Sequence, residues 1–282
     1  MLVQQDKEKT WFEKTLQRWS LFAPPITPSK SECQIIKKYI LKNKKKNLKI
    51  LILGSTPKFR DLAHELRAEV TCVDVSLSML QGMIPLMKQK NKANQETWLK
   101  ADWIKAPLAE NYFDFILGDF VISNLPINLQ SKFLSKIKYI LKKNGFFIVR
   151  HFLPLGSTMS FSQNINQVLK NKKPNNRMIN KFSLNVLSAT YEKRTKAMKV
   201  KTVYSKFEKF ISQEKNKKRK KEIKDLFEIY KKHYPIGKTW WGLLKNPGEK
   251  VMKRYFKIQD IKYGKDHDCV DYCPIYFLKK IK

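Results

Sequence analysis

Leu48-Lys49-Ile50-Leu51-Ile52-Leu53-Gly54 is the stretch on which the reading of this chain turns. It is nearly continuous in apolar residues, it is too short for a helix, and it stops at a glycine. A strand with one wet face would alternate apolar and polar positions. A strand covered on both faces has no reason to, and such strands belong to parallel sheets. Working outward, the same signature recurs at Val70-Thr71-Cys72-Val73-Asp74, Thr97–Ala101, Phe113–Asp119 and Phe146–Arg150. Between these runs, apolar residues recur at helical spacing: about Arg60–Arg67, Leu77–Lys90 and Asn128–Leu141, the last stopped by Asn144-Gly145 as a left-handed C-terminal signal. Strand and helix alternate over residues 48–150. The expected fold is α/β, a doubly wound and mostly parallel sheet with helices on both faces.

The flanks break this rhythm. Trp11, Phe12, Leu16, Trp19 and Phe22 are spaced as on an amphipathic helix, which Ala23-Pro24-Pro25-Ile26-Thr27-Pro28 cannot continue. Ser29 or Ser31 can cap a second helix reaching about Leu41, and Lys42–Asn47 reads as a polar turn. Residues 155–235 are lysine-rich and helical in character. Arg254–Ile258 and Pro274–Leu278, separated by Tyr263-Gly264-Lys265-Asp266, read as an antiparallel pair closing the sheet. The expected organisation is a helical flank over 1–47, an α/β core over 48–153, a helical insertion or cap over 154–250, and a closing hairpin over 251–282.

The chain has 282 residues, of which 42% are hydrophobic, so it can bury a core despite a formal charge of +34. That charge is unevenly spread. Residues 51–130 carry 8 basic and 9 acidic side chains, whereas 151–282 carry a net +21. The basic residues are mostly lysines, and specific nucleic-acid readout favours the planar fork of arginine. The charge therefore reads either as a solvated lysine surface or as a surface for polyanions. Apolar runs fall well short of the ~20 residues of a membrane span. Four cysteines are too few for a disulfide scaffold, and a cytoplasmic location is the expectation.

In open parallel sheets ligands bind outside the carboxyl ends of the strands. At those ends lie Gly54-Ser55-Thr56-Pro57, Asp74-Val75-Ser76, Asp102-Trp103 and Gly118-Asp119-Phe120. A tight turn and three carboxylates thus share one crevice. There is no glycine-rich phosphate loop with Lys and Ser/Thr, and carboxylates repel phosphate. The crevice suits a hydroxyl-rich, amine-bearing, cationic ligand.

The series Leu51–Pro57, Val73-Asp-Val-Ser-Leu-Ser-Met-Leu80, Asp102-Trp103, Phe113–Asp119 and Leu141-Lys-Lys-Asn-Gly-Phe-Phe-Ile148 resembles the class I S-adenosylmethionine-dependent methyltransferases, particularly the branch that acts on small molecules. The resemblance covers about 48–150. It implies a seven-stranded Rossmann-like sheet with S-adenosyl-L-methionine as cofactor. It also implies that Gly54 turns beneath the methionine part, Asp74 accepts from the ribose hydroxyls, and Val75 and Met79 pack on the adenine. Asp102 would accept from the adenine amine with Trp103 beside the ring, and Asp119 and Phe120 would lie near the transferred methyl. The family's first motif normally has several glycines after an acidic residue. Here Gly54 stands alone, so hydroxyls of Ser55 or Thr56 would replace backbone contacts.

Asp119 and His151 are the candidates for a catalytic acid or base; Arg150 and His151 follow the fifth strand on the crevice side. Asp114, at the start of its strand, is read as structural. Asn124-Leu125-Pro126 is read as an approach to the following helix. It departs from the Asn-Pro-Pro-aromatic motif of enzymes that methylate base amines, because Leu replaces the first Pro and no aromatic follows. Trp240-Trp241 reads as core, or as part of an acceptor pocket. Cys269-x3-Cys273 lacks the paired spacing of a structural zinc site, and no metal is expected. The resulting expectation is methyl transfer to a small-molecule acceptor. The alternatives are an RNA methyltransferase using the basic flanks, or a non-catalytic scaffold of the same fold.

Overall fold

The computed structural model describes residues 15–43, 46–154, 159–171 and 174–281. Trp11 and Phe12, read as part of the first amphipathic helix, lie outside the described residues. Helix α1 (Thr15–Leu21) and helix α2 (Lys30–Asn43) precede the sheet. Of the two serines that could cap α2, Ser29 does so. Its Oγ accepts from the backbone N–H of Glu32 at 3.2 Å, and its own N–H donates to Glu32 Oε2 at 2.6 Å. This reciprocal pair is a capping box.

The core then alternates: β1 (Lys49–Leu53), α3 (Pro57–Glu65), β2 (Glu69–Asp74), α4 (Leu77–Gly82), β3 (Thr97–Lys100), β4 (Phe113–Asp119), α5 (Ile127–Ile140) and β5 (Leu141–Arg150). A helical segment follows, with α6 (Phe161–Leu169), α7 (Asn176–Ser188), α8 (Val200–Gln213) and α9 (Lys217–His233). A small antiparallel pair, β6 (Ala197–Lys199) and β7 (Thr239–Trp241), belongs to it. Helix α10 (Lys245–Lys253) leads into β8 (Phe256–Lys262) and β9 (Ile275–Lys280). The main sheet has seven strands in the order β3-β2-β1-β4-β5-β9-β8. Strands β1 to β5 are parallel, and β9 and β8 are antiparallel. Strand order reverses between β2 and β4 on either side of β1, which places the crevice at their carboxyl ends.

The continuous apolar run of β1 has a simple cause. Leu51 and Leu53 pack into one core with α5 and the closing strands, while Ile50 and Ile52 pack into another with α2 and α3. Both faces are dry, so both sets of side chains are apolar. A third core, built around Phe182, Phe207, Phe227 and Tyr230, holds the inserted helices together.

Two local expectations are corrected. The helix expected over Leu77–Lys90 ends at Gly82 and continues as 3-10 turns at Ile84–Leu86 and Lys90–Gln95. Pro85 has no N–H to give an α-helix and clashes with the preceding turn. Asn144-Gly145 does not cap α5, which ends at Ile140 with the chain already extended at Leu141. Instead β5 bulges. Phe113 pairs with Leu141, but Phe115 pairs with Phe146, so residues 142–145 lack one-to-one partners on β4. Gly145 sits where the backbones crowd: a Cβ there would meet the carbonyl oxygens of Phe113 and Asp114 at 3.0 Å. Gly145→Ala is expected to destabilise the fold by about 1–3 kcal/mol, read as a lower midpoint in urea unfolding. Asp114 ties the same edge together, accepting from the Lys49 backbone N–H at 3.0 Å and from Lys142 Nζ at 2.8 Å.

Candidate functional site

Beyond β1 the chain turns at Gly54, whose φ of +87° a side chain would strain. A Cβ there would make ordinary contact, 3.8 Å from both Asp74 Oδ2 and Trp103 Cζ2, so the backbone angle is what favours glycine. Ser55 and Thr56 follow, both buried, and Pro57 opens α3. At the end of β2, Asp74 accepts from the Ser76 N–H at 3.0 Å. The cap of α4 is Ser76, whose Oγ accepts from Met79 N at 3.3 Å. Asp74 is therefore not the helix cap, and its carboxylate lines the crevice. After β3, Asp102 Oδ1 accepts from Ile104 N at 2.9 Å. The Trp103 indole N–H donates to Val73 O at 2.9 Å, which fixes the ring over the crevice wall.

These residues enclose one cavity with an empty volume of about 890 Å³ including its mouth. Among its walls are Gly54, Ser55, Thr56, Asp74, Val75, Met79, Asp102, Trp103 and Asp119. Nine of the ten residues expected at the cofactor site are thereby brought together. The tenth, Phe120, is not in the wall. It adopts a left-handed φ of +54°, and its ring lies under the Arg150 guanidinium at 4.4 Å. Its carbonyl accepts from Asn124 Nδ2 at 3.0 Å, so Phe120 shapes the site through its backbone.

The two candidate acid–base groups separate. Asp119 lines the cavity and forms a 2.9 Å ion pair with Arg150 Nε. Burial pushes the Asp119 carboxyl up to about 6, against the pull of Arg150. His151 is buried outside the cavity wall, and burial depresses its pKa to about 4. A neutral imidazole sealed from the cavity has no route to an acceptor.

Seven wall residues had no place in the expected set, among them Trp19 of α1, Asn124 after β4 and Lys238 just before β7. Lys238 Nζ donates to Asn124 Oδ1 and lies 5.0 Å from the Trp240 ring. Trp19 and Lys238 come from the flanking segments and had no local motif to mark them. Trp240 is buried in the third core, as its core reading required, and the cavity is reached by its neighbour instead. Among the described residues, no group of three His, Cys, Asp or Glu side chains is arranged to hold a metal ion, and no helix is long and apolar enough to cross a membrane.

The wall chemistry fits the expected cofactor. Acceptor-only carboxylates stand at the ends of β2 and β3, an apolar slot of Val75, Met79 and Trp103 lies between them, and a left-handed glycine turn brings backbone close.

Comparison with known proteins agrees. Residues 53–149 match a family model described as a methyltransferase domain. No curated protein matches the chain by sequence. Among solved structures, a Rhodobacter sphaeroides protein provisionally assigned to the zinc-dependent alcohol dehydrogenases is similar over 98% of this chain and 99% of its own, with 13% identity and a TM-score of 0.61. The PH0226 protein of Pyrococcus horikoshii is similar over 93% of this chain and 98% of its own, with 13% identity and a TM-score of 0.55. The 1,6-didemethyltoxoflavin-N1-methyltransferase of Burkholderia thailandensis, solved with S-adenosylhomocysteine, is similar over 99% of this chain and 88% of its own, with 10% identity and a TM-score of 0.53. At such identities the likeness shows the fold, which hosts many chemistries.

Proposed function

We propose that this protein, whose residues 53–149 match a methyltransferase domain, transfers a methyl group from S-adenosylmethionine to a small-molecule acceptor. The observation that carries this reading is that the flanking segments help to wall the cavity. Trp19 and Lys238, from segments on either side of the α/β core, stand in its wall. A concave wall of apolar side chains with a few placed polar groups is the kind of lining that small-molecule sites have.

In this reading Asp74 accepts hydrogen bonds from the ribose hydroxyls and Asp102 from the adenine amino group. Val75, Met79 and Trp103 pack on the base, and the Gly54-Ser55-Thr56 turn holds the methionine part. When bound, the cofactor supplies an already activated methyl group on its sulfonium. The protein's work is therefore alignment, which removes the entropic part of the barrier, and exclusion of water by the flank and the 154–250 segment. A base is needed only for an acceptor that must lose a proton, and Asp119 is the carboxylate placed to receive it.

Calorimetric titration with S-adenosylhomocysteine tests the reading. Saturable one-to-one binding is expected. No binding would overturn it in favour of a non-catalytic scaffold. The +34 charge motivates RNA as an alternative acceptor. A single-stranded RNA 20-mer is expected to bind weakly at physiological salt. Affinity that is tight and falls steeply between 50 and about 200 mM salt, as counterion release requires, would favour the RNA reading.

A further inference from the structure

Arg150, at the end of β5, is fully buried and serves two carboxylates. Its Nη1 donates to Glu32 Oε2 at 2.7 Å, and its Nε pairs with Asp119 Oδ1 at 2.9 Å. Glu32 comes from the first turn of α2, outside the parallel core, and is itself fully buried. One guanidinium between two carboxylates leaves a surplus of negative charge, and of the three groups only Asp119 lines the cavity.

The neighbours of this cluster offset that charge only in part, and none of them does so from within the cavity wall beside Asp119. Lys58, on α3, acts electrostatically on Asp119, but its ammonium is bonded to the Pro28 carbonyl and lines an adjoining groove instead. His267, in the β8–β9 connection, has Nε2 3.3 Å from Glu32 Oε1. The Cys33 and Cys273 thiols are kept protonated by burial. Asp74, Asp102 and Lys238 stand elsewhere in the same cavity wall.

A buried surplus charge is costly unless a ligand answers it. The methyl donor and its spent product make the same hydrogen bonds but differ by one charge: the sulfonium is cationic and the thioether is neutral. Resting on the cofactor reading above, we propose that the Glu32–Arg150–Asp119 cluster discriminates donor from product by this charge. Glu32 acts as a positioning residue that shares Arg150 and so keeps it from neutralising Asp119. The site then holds the donor firmly and releases the product after transfer.

The test compares dissociation constants of S-adenosylmethionine and S-adenosylhomocysteine for the full chain, which needs no acceptor. In Asp119→Asn the preference for the sulfonium compound is expected to fall about 5- to 20-fold relative to the parent, the scale of one charge at partly screened distance. In Glu32→Gln it should fall in the same direction by about threefold. In the parent it should also fall between pH 7 and 5, below the range where α-amino groups titrate. Asp119, raised to about 6, loses its charge there. Equal weakening of both ligands in the variants would mean a structural role only and would overturn the proposal. So would an unchanged preference in Asp119→Asn and across the pH range. The pH series on the parent decides if Glu32→Gln fails to fold. If neither compound binds the parent, the cofactor reading itself falls.

Discussion

Replacing Asp74 with alanine is expected to lower the affinity for S-adenosylhomocysteine by about 30- to 1,000-fold, if Asp74 holds the ribose as proposed. A carboxylate accepting from two ribose hydroxyls makes two charge-assisted hydrogen bonds, and losing them costs roughly 2–4 kcal/mol of binding. The competing view is that Asp74 merely starts the next helix. The geometry separates the two, because Ser76 provides the cap of α4 through its own hydroxyl. Asp74 also accepts from the Ser76 N–H at 3.0 Å, a bond to a charged acceptor worth about 1.5–3 kcal/mol, so the variant is expected to lose some folding stability as well. Calorimetry and urea unfolding of the same variant read the two effects separately. An Asp74→Ala protein that binds like the parent would place the site elsewhere.

Glu96→Ala is expected to cost about 3–5 kcal/mol of folding stability while leaving cofactor affinity intact in the folded protein. Glu96, just before β3, has no exposed side-chain surface. It accepts from Arg60 Nη2 at 2.7 Å and Nε at 3.0 Å, and from the Trp98 indole N–H at 2.7 Å. His64 Nε2 lies 2.9 Å away, and the Cys72 thiol 3.8 Å. Alanine strands the Arg60 charge and an indole donor in the dry core between α3 and the sheet. Removing both charges, as in Arg60→Met with Glu96→Leu, should recover much of the loss, because the penalty comes from the unpaired ion. None of these residues lines the cavity. Urea unfolding midpoints of the two single variants and the double variant give the coupling directly.

The comparison of Glu96 with Asp74 shows how far the sequence could be read. Asp74, Asp102 and Asp119 were legible as site candidates because each stands at or just beyond the end of a strand, and parallel strands deliver their carboxyl ends to one edge. The order of the runs then places the residues side by side without any knowledge of contacts. Glu96 has no such marker. It stands in a polar stretch, Lys88–Glu96, that resembles any solvated turn. Its burial depends on Arg60 and His64 turning inward from α3, a helix whose pattern is otherwise unremarkable.

His151 and Phe120 mark the limit from the other side. Both sit at strand ends in the sequence, as a site residue should. Yet His151 is buried outside the cavity wall, and the left-handed turn at Phe120 directs its ring onto Arg150. Side-chain direction at a strand end depends on one or two backbone angles, which composition and spacing do not encode.

What the sequence determined by itself was the layered α/β core and its crevice. Burial on both faces forces continuous apolar strands, prolines and glycines punctuate them, and chain order does the rest. What only the tertiary structure decided was the company the crevice keeps. Glu32 meets Arg150 across 118 residues, and Lys238 meets Asn124 across 114. Trp19 reaches the wall from the N-terminal flank. Contacts at such separations arise from how segments pack, and packing is a property of the whole fold that leaves no periodic trace along the chain.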